Sequence, residues 1–155
     1  EAGRSTKLPR MFGFQAAGSA PIVLGEPVKQ PETIASAIRI GNPASWELAL
    51  TARDETRGYF GAIDDDGILA AHRLLSAEVG VFVEPASAIG VAGLLERAEA
   101  GEIPKGARVV ITVTGHGLKD PQWALRSPEG TGDVQPTVVP VDAASVAEVL
   151  GLQAG

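Results

Sequence analysis

Cysteine is absent from these 155 residues, which excludes disulfides, thiolate metal sites and cysteine nucleophiles. Histidine occurs only at positions 72 and 116, too sparse and too widely spaced for a histidine zinc site. Thirteen Lys and Arg against nineteen Asp and Glu give a net charge of -6, so there is no basic surface to neutralise phosphates along DNA or RNA. No nucleic-acid partner is expected. The chain also lacks any run approaching the ~20 apolar residues of a membrane span, and its polar opening, Glu1-Ala2-Gly3-Arg4-Ser5, is not a signal peptide. Together these absences point to a reduced, cytoplasmic setting with no membrane partner.

What is present is an apolar fraction of 45%, enough for one domain with a real core. Residues 1–10 hold Arg4, Lys7, Pro9 and Arg10 without apolar period, and read as a linker from an amino-terminal half. Residues 11–126 carry an α/β pattern. Gly58 to Ile63, Val79 to Val83 and Arg108 to Val113 are short, apolar and rich in β-branched or aromatic residues, as strands are. Between them run helical patterns. Asp64-Asp65-Asp66 suits a helix start, followed by Ile68, Ala71, Leu74 and Leu75. Pro85 suits a first turn, Ile89, Ala92, Leu95 and Ala98 form a stripe, and Gly101 ends it. Gly90 and Gly93 would let this helix lie close on a sheet. The alternation predicts parallel βαβ units, hence an α/β fold of three layers with a mostly parallel sheet.

Upstream, a strand is expected over Met11 to Phe14, a short helix over Gln15 to Leu24, and a helix from the Gly41 to Trp46 turn to about Arg57. Residues 127–155 read as a Gly/Pro-rich loop, Ser127 to Pro136, and a last helix capped by Asp142 over Val146, Val149 and Leu150.

Ligands of open parallel sheets bind beyond the carboxyl ends of the strands, which singles out two loops. In Val83-Glu84-Pro85-Ala86-Ser87 a carboxylate follows an apolar strand; it is either a cap or ion-pair partner, or a ligand-facing group. In Thr112-Val113-Thr114-Gly115-His116-Gly117-Leu118-Lys119-Asp120 a hydroxyl is followed by glycines that let backbone approach a ligand. Gly115 and Gly117 lack the third glycine of a dinucleotide turn, and no P-loop is present. Asp64 to Asp66 is either a divalent-cation site or a set of solvated caps, and no metal is assigned to it. His116 is either a general base or a hydrogen-bonded loop residue, whereas His72, on a helix, is structural. Ser45, Ser87 and Ser127 lack the Gly-x-Ser-x-Gly context of a nucleophile elbow, and Trp46 and Trp123 are packing anchors.

Four stretches in order, Gly13-Phe14-Gln15-Ala16-Ala17-Gly18, Ile38-Arg39-Ile40-Gly41-Asn42-Pro43-Ala44-Ser45-Trp46, Val83-Glu84-Pro85-Ala86-Ser87-Ala88 and Thr112 to Pro121, resemble the threonine synthase family. The similarity covers about Arg10 to Leu125. It implies part of the large domain of a tryptophan-synthase-like enzyme that uses pyridoxal 5'-phosphate to convert O-phosphohomoserine and water into threonine and phosphate. It also implies a homo-oligomer. The match is to the carboxyl-terminal portion only. The family's Schiff-base lysine stands in a Ser-Phe-Lys-Asp-type motif and its phosphate loop is a Gly-Asn-rich turn, neither of which occurs here. Lys7, Lys29, Lys105 and Lys119 are the available lysines, none in that context, so no catalytic residue is assigned and the chain alone is expected to be inactive. Motif by motif, the resemblance makes Thr114 the hydroxyl that hydrogen-bonds the pyridine nitrogen. It sets Glu84 and Gly115 near the ring, Ala37 to Gly41 along one ring edge, and the Gln15 to Gly18 turn against the substrate pocket. The alternatives are a stand-alone α/β small-molecule-binding module or part of a related serine/threonine dehydratase.

Overall fold

The computed structural model describes residues 3, 5–126 and 133–152, which form two compact units divided between Ala124 and Leu125. In the first unit, β1 (Phe12–Ala16) pairs in parallel with β2 (Tyr59–Ile63), in a register that sets Phe12 beside Tyr59 and Ala16 beside Ile63. The connection carries α1 (Pro21–Leu24), a 3₁₀ turn (Ser36–Ile38) and α2 (Trp46–Thr56). After β2 come α3 (Asp65–Leu74), a π-helical turn (Leu75–Val79), α4 (Pro85–Glu99), a second 3₁₀ turn (Gly117–Lys119) and α5 (Gln122–Leu125). The second unit holds α6 (Ala143–Val149). Parallel strands joined through helices are the expected α/β architecture.

Where local chemistry decides the boundary, the elements start as expected. The Asp64 carboxylate accepts the Gly67 amide at 2.7 Å and opens α3; Pro85 takes the first position of α4, where its missing N–H costs nothing. Asp142 accepts the Ser145 amide, which holds its carboxyl below the usual carboxylate range. At the end of α2, Arg57 adopts a left-handed conformation with φ of 51°, closing the helix on the Arg53 and Asp54 carbonyls.

The core gathers Ala16 and Ile63 from the sheet, Ile68, Ala71 and Leu75 from α3 and its extension, and Ala88, Ile89 and Ala92 from α4. Alanine makes up half of this cluster, as suits a helix α4 that lies close on the sheet. A methyl group at Gly93 would run into the Phe14 ring of β1, and one at Gly90 would meet Ile111 Cγ2 at 3.0 Å. The stripes are narrower than their sequence period suggests: Leu74 and Leu95 are exposed, as are Val149 and Leu150 of the last segment.

Two expected strands do not form. Val79 ends the π-helical turn, residues 80–82 have no regular structure, and only Val83 makes a ladder contact, an antiparallel bridge to His116. Arg108 to Val113 is without regular structure, with Val110 93% exposed. Both sequences suit strands, but a strand needs a neighbour for its amides and carbonyls, and among the described residues none runs beside them. The Gln15 to Leu24 helix is likewise shorter than expected. Gln15 and Ala16 complete β1, a turn follows at Gly18, and the Gln15 side chain accepts the Ile22 and Val23 amides, so that only Pro21–Leu24 is helical. Strand β1 accordingly runs two residues past Phe14. Of the Ser127 to Pro136 loop, residues 127–132 lie outside those described, and 133–136 have no regular structure. Among the described residues no helix is long and apolar enough to cross a membrane.

His72 is buried on α3, 3% exposed, with its ring edge-on to Phe82. Burial pushes its pKa below the ordinary 6.5, the Val83 backbone opposing and Arg73 assisting. The unfolded chain then binds a proton near pH 6.5 that the folded chain resists, so His72 contributes stability above that pH which is lost as the pH falls below it. Urea midpoints taken at about pH 7.5 and about pH 5.5 should drop at the lower pH, and His72→Phe should reduce that drop. An identical drop in the variant would contradict this.

Candidate functional site

The site is built where the 114–120 loop folds back on the amino end of α4. Ser87, in the first turn of α4 and buried, is the fastener. Its Oγ accepts the Gly115 amide at 2.8 Å and the Thr114 amide at 3.3 Å, and lies 3.4 Å from Thr114 Oγ1. Glu84 donates its amide to the Gly115 carbonyl at 3.0 Å, and Gly117 donates to the Phe82 carbonyl at 3.3 Å. These contacts bring Thr114, Gly115 and Glu84 together from positions about thirty apart in sequence. Thr114 is exposed, whereas Gly115 and Glu84 are buried.

Glu84 occupies the N-cap position of α4, yet its side chain caps nothing. The carboxylate folds instead over the Cα of Gly115, in the space that any side chain there would need. Oε1 accepts from Lys119 Nζ at 3.2 Å, and Oε2 is buried without a hydrogen-bond partner. His116 caps the short 3₁₀ turn, its Nδ1 accepting the Leu118 amide at 3.2 Å, so that nitrogen is committed to the loop. Ala37 is exposed on the Ser36–Ile38 turn. Its neighbour Ser36 donates to Asp120 Oδ2 at 2.6 Å, which ties this turn to the far end of the Thr114 loop.

Two of the three acids after β2 are spent on structure. Asp64 caps α3, and Asp65 receives the Thr33 hydroxyl at 2.5 Å and the Ile34 amide at 3.1 Å. Two clefts lie apart from Thr114 and Glu84. One, of about 540 Å³, is lined by Ala17, Gly18, Glu32, Thr33, Arg39 and Trp123 among others; the second, of about 440 Å³, lies around Asn42 and Trp46. Thr114 instead stands on an open face.

Ser87 is the functional residue that the sequence did not single out. Read for nucleophilic chemistry, it lacks the right neighbours; its work is positional, and only its place at N3 of a helix, beneath a hydroxyl-glycine tip, could have suggested it. Ser87→Ala would leave the buried Gly115 amide without an acceptor, which costs ~1–3 kcal/mol. A lowered thermal midpoint and faster hydrogen exchange at Gly115 are expected, and unchanged exchange would refute the role.

Three features of Thr114, Glu84 and Gly115 could serve a bound ligand or cofactor. An exposed hydroxyl is held in place, a carboxylate oxygen is buried without a partner, and a glycine keeps the loop backbone bare.

Comparison with known proteins shows the family. Residues 1–115 match the family described as pyridoxal-phosphate dependent enzyme. Threonine synthase of Mycobacterium leprae (strain TN) is 55% identical over 150 residues, 97% of this chain and 40% of that protein. Threonine synthase of a Synechocystis species is 54% identical over 127 residues, 82% of this chain and 33% of that one. The chain thus spans about two fifths or less of the length of these relatives. Among solved structures, maize serine racemase aligns with a TM-score of 0.57 at 23% identity, covering 70% of this chain and 36% of that one. A fungal L-serine ammonia-lyase from Rhizomucor miehei aligns with a TM-score of 0.55 at 21% identity, covering 76% and 41%. The likeness to these structures shows the tryptophan-synthase-like fold.

Proposed function

The chain belongs to the pyridoxal-phosphate dependent enzymes, and from that premise we propose that it is the carboxyl-terminal part of a threonine synthase, forming threonine and phosphate from O-phosphohomoserine and water. The observation that carries the reading is the clasp of Ser87, Thr114 and Glu84 at the amino end of α4. When bound, pyridoxal phosphate supplies an electron sink for carbanionic character beside the substrate nitrogen.

The chain's own residues hold and tune that group. Thr114 offers its hydroxyl to the pyridine nitrogen. Being neutral, the hydroxyl does not keep a proton on that nitrogen as an aspartate would, which moderates the sink and favours elimination and replacement over transamination. Gly115 presents bare backbone to the ring, Glu84 sets a carboxylate near it, and Ala37 lines an edge. Lysine for covalent attachment is not contributed by this chain: Lys7, Lys29 and Lys105 are exposed and make no contact with Ser87, Thr114 or Glu84 in the hydrogen bonds and ion pairs of the clasp, and Lys119 is committed to Glu84. Attachment and phosphate binding then fall to residues of a longer protein, and these 155 residues alone are inactive. In this reading the open face at Thr114 and the bare Val109 and Val110 are where that remaining part packs. The whole enzyme is cytoplasmic and homo-oligomeric.

The test is phosphate release from O-phosphohomoserine by the full-length protein carrying this segment, supplied with pyridoxal phosphate, beside ammonia release from serine and threonine. Phosphate release coupled to threonine formation is expected. Ammonia release alone would replace the reading with a dehydratase.

A further inference from the structure

Glu84 and Lys119 form an unequal ion pair, and the inequality has a use. The Glu84 side chain is 4% exposed and that of Lys119 62%. A pair between two exposed side chains contributes little, because water solvates both. Here one partner is buried, and removing its counter-charge leaves a carboxylate stranded out of water. The carboxylate is not there for the helix. An acidic N-cap ordinarily accepts an amide of the first turn, but Glu84 makes no such bond and turns across Gly115 instead. Nor is Lys119 loosely placed. The turn that carries it is capped by His116, and the next residue, Asp120, is buried and bound to Ser36.

We propose that Lys119 is a positioning residue, its ammonium holding Glu84 Oε1 so that the carboxylate stays folded against Gly115 beside the Thr114 hydroxyl. Lys119 therefore acts on the cofactor only through Glu84. The inference rests on the reading of Thr114 and Glu84 as cofactor-facing groups. It adds that the lysine nearest the site neither attaches the cofactor nor serves only the stability of the loop.

The test uses the full-length protein with pyridoxal phosphate. Lys119→Met should displace the cofactor absorbance and lower kcat about tenfold with KM within about twofold, while Lys119→Arg, which keeps the charge, restores most of both. In a double-mutant cycle, Lys119→Met added to Glu84→Gln should change kcat by less than about twofold, because the two residues act as one unit. If Lys119→Met is insoluble, Lys119→Gln carries the same expectation. A variant with a lower thermal midpoint but parental absorbance and kcat would reduce Lys119 to a stabilising contact and overturn the inference, as would additive effects in the cycle. A parent protein that takes up no pyridoxal phosphate and releases no phosphate overturns instead the functional reading beneath it.

Discussion

Thr114→Val in the full-length protein is expected to displace the cofactor absorbance and to lower kcat about fivefold or more, the equivalent of losing a hydrogen bond of ~1 kcal/mol or more. The substitution isolates the hydroxyl. Val matches Thr in shape and keeps the amide that Ser87 accepts; within the fold it removes the long 3.4 Å approach to Ser87 Oγ. Unfolding free energy should change by less than ~1 kcal/mol, because within the fold only the long 3.4 Å approach to Ser87 Oγ is lost. Absorbance spectra, steady-state phosphate release and thermal melts of parent and variant separate the two effects. A variant with the parental spectrum and rate would remove Thr114 from the cofactor's surroundings.

Gly115→Ala should be the most damaging single methyl in the clasp. The new Cβ would coincide with the Glu84 carboxylate, whose Cδ and Cγ also crowd the position. A flexible side chain at the surface would swing aside at little cost, but Glu84 is 3% exposed and held by Lys119. Either the carboxylate is driven from its place or the loop lifts from Ser87, breaking the 2.8 Å bond to the Gly115 amide. Overpacking of this kind costs typically ~1–3 kcal/mol, and the upper end is expected because hydrogen bonds are broken as well. Urea unfolding of parent and variant reads the loss directly. The cofactor spectrum should change too, since Glu84 and Thr114 share the displaced loop; a variant as stable as its parent would mean that the carboxylate has somewhere else to go.

What the sequence discloses divides along the range of the interaction involved. Asp64, Pro85 and Asp142 mark helix starts because a cap is settled within three or four residues, and all three stand where expected. The β2 segment is legible for a related reason: its apolar run sits between a turn and a cap. Val79 to Val83 and Arg108 to Val113 have equally good strand composition, but strand formation depends on a neighbour that composition does not disclose. At the site, Glu84, Thr114 and Gly115 were marked by their place in the expected topology and by the family resemblance, and they do meet. The contacts that unite them were hidden. Ser87 reaches across 27 residues to Thr114, Lys119 across 35 to Glu84, and Ser36 across 84 to Asp120, and no local pattern encodes such pairings. Gln15 is similar, since its capping of α1 emerges only once the Gly18 turn brings residue 22 back beside it.

The central claim is that these residues face a cofactor anchored by a lysine outside this 155-residue segment. Borohydride reduction of the full-length protein with pyridoxal phosphate, followed by peptide mapping, measures the anchor directly. The account predicts one specifically labelled lysine, located outside this segment, in a preparation that releases phosphate from O-phosphohomoserine before reduction and not after. Specific label on Lys7, Lys29, Lys105 or Lys119 would contradict it.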